Sequence, residues 1–193
     1  MASRTGHSQL RPLHLMRHAL PEGVRRTRGR HTLIVCCGNA DRGYDGAGPA
    51  CADALRLLGA AARCLPGDAF TLLDAWTGQP KVIVVDAIVT GSAAPGTIHR
   101  FEIKGGAGAE QFEARLGSST HGFGIAEAFR LGQITKNVPE EAIVYGIEAA
   151  SFEWGAGLSG EVHDAVQRLA TTLAHEAAQA PRDSAPGKLA AGQ

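Results

Sequence analysis

Residues 81–86 read Lys-Val-Ile-Val-Val-Asp, an unbroken apolar, β-branched run closed by a carboxylate. A strand without polar alternation cannot lay one face against water. Strands of this kind belong to parallel sheets covered by helices on both sides. Residues 32–37 and 142–148 have the same character, so the chain is expected to hold several such strands.

The segments between them carry helical periodicity. Residues 47–59 place Ala47, Cys51, Ala54, Leu55 and Leu58 on one face, with Pro49 in the tolerant first turn and Gly59 as a stop. Residues 61–65 suit a short strand, 68–76 a short helix and 121–132 a further helix. Residues 160–178 form the most regular helix, aligning Val162, Val166, Leu169, Leu173 and Ala177. Ser92–Gly96 reads as a turn. Thr97–Ile103 alternates as a half-exposed edge strand would, and the Gly-rich Lys104–Gly117 reads as a flexible loop. Strand and helix therefore alternate, which predicts an α/β fold: a three-layer α/β/α sandwich with a mainly parallel central sheet. Ligands bind such sheets in the crevice beyond the carboxyl ends of the strands.

The chain of 193 residues suffices for one such domain, expected over 31–179. Residues 1–30 lack periodicity and read as a basic, disordered extension. Residues 1–31 hold seven Arg against Glu22 alone, so the remainder of this neutral chain is acidic. Residues 180–193 read as a disordered tail. Zero net charge gives no cause to expect nucleic acid or a membrane as partner, and a monomer is the default. Cys36, Cys37, Cys51 and Cys64 show no framework spacing, so reduced thiols and a cytoplasmic location are expected. No apolar run reaches bilayer length, and Arg11, His14, Arg17 and His18 interrupt any signal-like core.

Three residues stand at the mouths of these strand–helix units. Asp45 follows the strand Leu33–Cys37 and the break at Gly38-Asn39, and opens Asp-Gly-Ala-Gly48. Its plain reading is a helix N-cap or first-turn acid, although Gly46 and Gly48 also allow close approach of a ligand. Asp86 ends a buried run. It is either a turn-forming aspartate or a charge held by a partner or metal, because a carboxylate there cannot stay unsolvated. His121 follows the capping residues Ser118-Ser-Thr120, as a locally bonded helix-start histidine or a neutral imidazole ligand. Two carboxylates and one imidazole leave coordination positions open, as catalytic metal sites do, and suit zinc, nickel or a similar first-row ion.

Other motifs fail on spacing. His175-Glu176 lacks the second histidine of a zincin, since Gln179 stands there. There is no nucleophile elbow and no phosphate-binding Walker loop. Gly43, Gly46 and Gly48 are wrongly spaced for a dinucleotide fingerprint. Cys36 and Cys37 read as core.

On Gly38-Asn39 with Asp45-Gly-Ala-Gly48, Val84-Val-Asp-Ala87, Pro95-Gly-Thr97, Ser119-Thr-His-Gly-Phe-Gly124, Tyr145-Gly-Ile-Glu148 and Gly157-Leu-Ser159, the chain resembles the hydrogenase maturation endopeptidases from about Thr32 to about Ala178. These enzymes remove a C-terminal extension from the large-subunit precursor of nickel–iron hydrogenases. The resemblance implies an α/β/α fold, metal-binding positions at Asp45, Asp86 and His121, and a nickel ion that arrives in the precursor, with another divalent metal as the variant. It departs from the family at Tyr44, where a second acid is common, at Cys36, where glycine is usual, and in the polar loop Ala40–Gly43. With no serine, cysteine or threonine nucleophile paired to a base, metal polarisation of the scissile carbonyl and a general-base role for Asp45 or Asp86 both stay open. The alternatives are a non-catalytic nickel-binding chaperone of the same precursor and a nucleotide-binding α/β protein using the Gly43–Gly48 loop.

Overall fold

The computed structural model describes residues 32–38, 46–116, 121–149 and 157–179. The expected extension, the tail and the 39–45 loop lie outside these. Ten elements follow in order: β1 (Leu33–Cys37), α1 (Ala47–Leu57), β2 (Arg63–Leu65), α2 (Ala69–Trp76), β3 (Lys81–Ile88), β4 (Ile98–Lys104), α3 (Ala109–Leu116), α4 (His121–Thr135), β5 (Glu141–Glu148) and α5 (Gly160–Gln179).

The five strands form one sheet in the order β2-β1-β3-β5-β4. All neighbours are parallel except β4, which runs antiparallel along β5. The apolar runs account for this arrangement. The central strands β1, β3 and β5 are buried on both faces, and β4 is half-exposed at the edge. Alternate residues of β3 feed two cores. Ile83, Val85 and Ala87 pack with α1 and α5, whereas Val82, Val84 and Ile88 pack with α2, α3 and α4. This is the three-layer α/β/α sandwich expected from the sequence. On the second face Trp76 stacks on Phe129 with ring centroids 4.7 Å apart, tying α2 to α4.

Four expectations are corrected. The stretch 104–117 is not all loop. Residues 109–116 form α3, anchored by the fully buried Phe112, which meets Phe101 edge-on at 5.0 Å. The glycines at 105, 106 and 108 hide a helix that long-range packing supports. Leu58 is not part of the buried face of α1. The helix ends at Leu57 and Leu58 is exposed, because the chain turns through Gly59 at φ 77°. Ala177 is exposed near the end of α5, where the helix has run beyond its neighbours; Ala165 and Ala170 complete that face instead. Finally, β3 does not stop at Asp86 but runs on to Ile88, paired with β5 throughout.

Candidate active site

From β1 the chain returns through α1 on one face to the edge strand β2, then through α2 on the other face to β3, on the far side of β1. The connections leaving β1 and β3 therefore diverge. Such a switch point opens a crevice at the carboxyl ends of the two strands.

On the β1 side the backbone approach is unusually close. Gly38 leaves the strand at φ 138° and donates its N–H to the Leu65 carbonyl at 3.2 Å. A Cβ at Gly48 would overlap the Cys37 carbonyl oxygen, so the first turn of α1 sits directly on the end of β1. Gly46 holds the N-cap position without a side-chain cap, one residue beyond Asp45. Asp45 itself lies outside the described residues; Gly38 and Gly46, on either side of the loop 39–45, are described.

Asp86 is almost completely buried. It stands inside β3 opposite Gly146 of β5, and its Oδ1 accepts the Ala87 N–H at 2.9 Å. The local backbone bond expected of a turn aspartate is present, though within a strand. Strand alternation directs this carboxylate to the α2/α4 face. Transfer of an ionised carboxylate into such a place is costly unless polar groups meet it.

His121 is the first residue of α4, on that same face; its side chain lies outside the described part, as do the capping residues expected before it. The start of α4 is set by Gly124, where a Cβ would overlap the Gly67 carbonyl oxygen and lie 3.3 Å from the Asp68 Cα. Asp68 in turn caps α2, accepting the Thr71 N–H at 2.9 Å. Hydrogen bonding to Thr71 holds its carboxyl below the usual aspartate range. The N-terminal turns of α2 and α4 are thus locked together at the crevice end of the sheet.

A second buried carboxylate received no role from the sequence. Glu148 ends β5 and is as buried as Asp86. Its Oε1 accepts the Thr90 N–H at 2.7 Å and the Gly91 N–H at 3.3 Å. Its Oε2 lies 3.0 Å from the Thr90 hydroxyl and 3.1 Å from His99 Nε2. The signal that singles out Asp86, a charge closing an apolar strand, is equally present in Tyr145-Gly-Ile-Glu148. The partners His99 and Thr90 lie far away in sequence and gave no sign.

Cys36 and Cys37 are core residues, as expected. Cys51 is buried with them and Cys64 is exposed, and none of the four is in a disulfide. The hydrogen bond with Cys51, reinforced by burial, pushes the Cys36 thiol well above the usual thiol range. It is therefore a poor nucleophile. Among the described residues no three His, Cys, Asp or Glu side chains gather as a metal site. A hollow of about 420 Å³ lies at the opposite end of the sheet, lined by Lys81, Arg100, Glu141 and Glu176 among others. Lys81 and Glu141 there neutralise each other in an ion pair at 3.0 Å, and the crevice at the strand ends, where Asp86 is buried, is the better functional candidate.

A family model described as hydrogenase maturation protease matches residues 67–176, more than half of the chain. The chain belongs to the hydrogenase maturation protease family. The matched segment includes Asp86, His121 and Glu148 and begins after Asp45, so membership does not depend on the β1–α1 loop. Solved maturation proteases share the fold. The NiFe hydrogenase maturation protease HybD from Thermococcus kodakarensis is 25% identical, with a TM-score of 0.63 over 76% of this chain and 99% of that one. The hydrogenase maturating endopeptidase HybD from Escherichia coli is 20% identical, with a TM-score of 0.59 over 74% of this chain and 89% of that one. A further Escherichia coli endopeptidase solved in solution is 21% identical, with a TM-score of 0.61 over 77% and 94%. No curated protein sequence matches the chain significantly. No helix among the described residues is long and apolar enough to cross a membrane.

Proposed function

We propose that this protein is the endopeptidase that removes the C-terminal extension of a nickel-loaded hydrogenase large-subunit precursor, with Asp45, Asp86 and His121 forming its site. The observation that carries this reading is the buried Asp86 carboxylate at the switch-point crevice of a chain from the maturation protease family.

The donors suit the task. Two carboxylates and an imidazole form a mixed oxygen–nitrogen set that accepts a borderline divalent ion and leaves positions free for substrate atoms. In this reading nickel belongs to the precursor, as part of the substrate, and the crevice docks on it. Asp45, Asp86 and His121 would hold such an ion, which would supply Lewis-acid polarisation of the scissile carbonyl. The residues of this chain hold that segment of precursor against the ends of β1 and β3. An aspartate carboxylate that is not engaged as a ligand can take a proton from the attacking water. The Ala87 N–H bound to its Oδ1 helps to orient the Asp86 carboxylate in advance, which lessens the reorganisation needed at the moment of reaction. The large-subunit precursor is the partner in this reading, and a cytoplasmic site of action is proposed with it, supported by cysteines without framework spacing.

The test is a processing assay. Nickel-loaded precursor is mixed with wild-type protein and with Asp45→Ala, Asp86→Ala and His121→Ala variants, and the mass change is followed by electrophoresis. Cleavage by wild type alone is the expected result. Cleavage by all four proteins would remove the three residues from the mechanism. Metal-dependent capture of the precursor without any cleavage would instead identify a chaperone.

A further inference from the structure

The pairing of β3 with β1 ends at Cys36–Val85, so Asp86, Ala87 and Ile88 are paired by β5. Opposite Asp86, β5 offers only Gly146, and the space a side chain would fill there is taken by Ile88. The residue that faces Asp86 across the ladder is therefore a glycine, and the backbone pairing of the last rungs of β3 and β5 sets where the strand carries its carboxylate.

Glu148 does the closing. It lies opposite Ile88, on the same face as Asp86 and, from strand geometry, about 8 Å from it between Cα atoms. Its carboxylate gathers Thr90 and Gly91, the first residues to turn away from β3. Its backbone carbonyl accepts the Gly96 N–H at 2.8 Å and its N–H donates to the Thr97 carbonyl at 2.9 Å. Ala149 N–H reaches back to the Ile88 carbonyl at 2.9 Å. Both ends of the β3–β4 connection are therefore tied to this one residue, and His99 on β4 completes the shell of donors. A buried carboxylate with this many donors is held in one geometry.

We propose that Glu148 is a positioning residue for Asp86: by closing β3 against β5 around Thr90 and Gly91, it fixes the strand segment that presents the Asp86 carboxylate to the crevice. This rests on the reading of Asp86 as a site residue. The two carboxylates then divide the work. Asp86 meets the substrate, and Glu148 acts through the backbone. A glutamine at 148 can still accept the two backbone N–H groups with its amide oxygen and turn its amide nitrogen toward His99, whose tautomer can adapt. An alanine leaves those donors without their acceptor.

The test compares wild type, Glu148→Ala and Glu148→Gln on the nickel-loaded precursor, reading kcat and KM separately, with amide exchange measured at residues 86–91 in the same proteins. Ile103→Val, a core change on β4 outside this network, serves as a control for lost stability. For Glu148→Ala, kcat is expected to fall roughly tenfold or more with KM within about twofold, and exchange at 86–91 to speed up. Glu148→Gln should recover kcat to within about threefold and restore protection. An unchanged kcat in folded Glu148→Ala overturns the proposal. So does a loss carried by KM, or a loss no larger than the control shows. If wild type does not cleave at all, the proposed function fails by itself. Exchange then decides the inference: unchanged protection at 86–91 in Glu148→Ala overturns it, and protection lost in Ala but kept in Gln supports it.

Discussion

Gly124→Ala separates the stability of this domain from the placement of its site. The Cβ would collide with the Gly67 carbonyl oxygen, with the Gly67 carbonyl carbon at 3.0 Å and the Asp68 Cα at 3.3 Å. These are backbone atoms at the N-terminus of α2, so no side chain can swing aside. Restoring an ordinary contact requires the start of α4 to retreat by on the order of 1–1.5 Å. Overpacking of this kind costs about 1–3 kcal/mol. Alanine returns about 1 kcal/mol through its better helix propensity. The net loss is then about 0–2 kcal/mol, a fall of at most about 8 °C at roughly 2–4 °C per kcal/mol. His121 opens the same helix three residues earlier, and a displacement of about 1 Å at a reacting group can cost on the order of a hundredfold in rate. Precursor processing should therefore fall far more than stability does. Thermal melting and the processing assay, run side by side, measure both. Gly160→Ala is the control, since a Cβ there meets nothing within 4 Å. Wild-type processing and an unchanged melt in Gly124→Ala would refute the close approach and the seating of α4 derived from it.

Three further outcomes follow from the fold. Phe112→Ala should cost about 3–5 kcal/mol, as deletion of a fully buried ring does; a change below about 1 kcal/mol in denaturant unfolding would mean that α3 is not anchored as described. Native protein treated with a thiol alkylator should gain one adduct from the four cysteines of the described region, at Cys64, with Cys36, Cys37 and Cys51 reacting only after unfolding; intact mass gives the count, and rapid native labelling of Cys36 would contradict its burial. Asp68→Ala should cost about 1 kcal/mol near pH 7 by removing the cap of α2. Because the folded carboxyl titrates below its unfolded value of about 3.9, its contribution is present above that pH and lost as the pH falls through the folded value. The gap between wild type and Asp68→Ala should close in acid, and a gap that widens in acid would reverse the sign of the argument.

The legible parts of the fold are those in which one local signal dominates. The apolar runs at 32–37, 81–86 and 142–148 show no polar alternation, and each is a covered strand within a residue or two of those bounds. The helix 160–179 follows from one apolar stripe. Local signals fail where they conflict. Three glycines argue against order near α3, and the buried Phe112 of α3 itself, packed edge-on against Phe101 of β4, outweighs them. The end of β3 is not legible locally, because a carboxylate usually marks a strand exit. Here Ala87 and Ile88 continue pairing, with Ile147 and Glu148 of β5.

The sequence by itself determined the sheet type, the family and the three residues proposed for the site. Those rest on composition within short segments and on motifs in a fixed order. Tertiary structure alone decided that Asp86 sits inside a strand rather than at its exit, and that Glu148 gathers Thr90 and His99 from 58 and 49 residues away. The cause is register. A strand records which of its residues alternate, but only its pairing with a particular neighbour decides what each carboxylate faces.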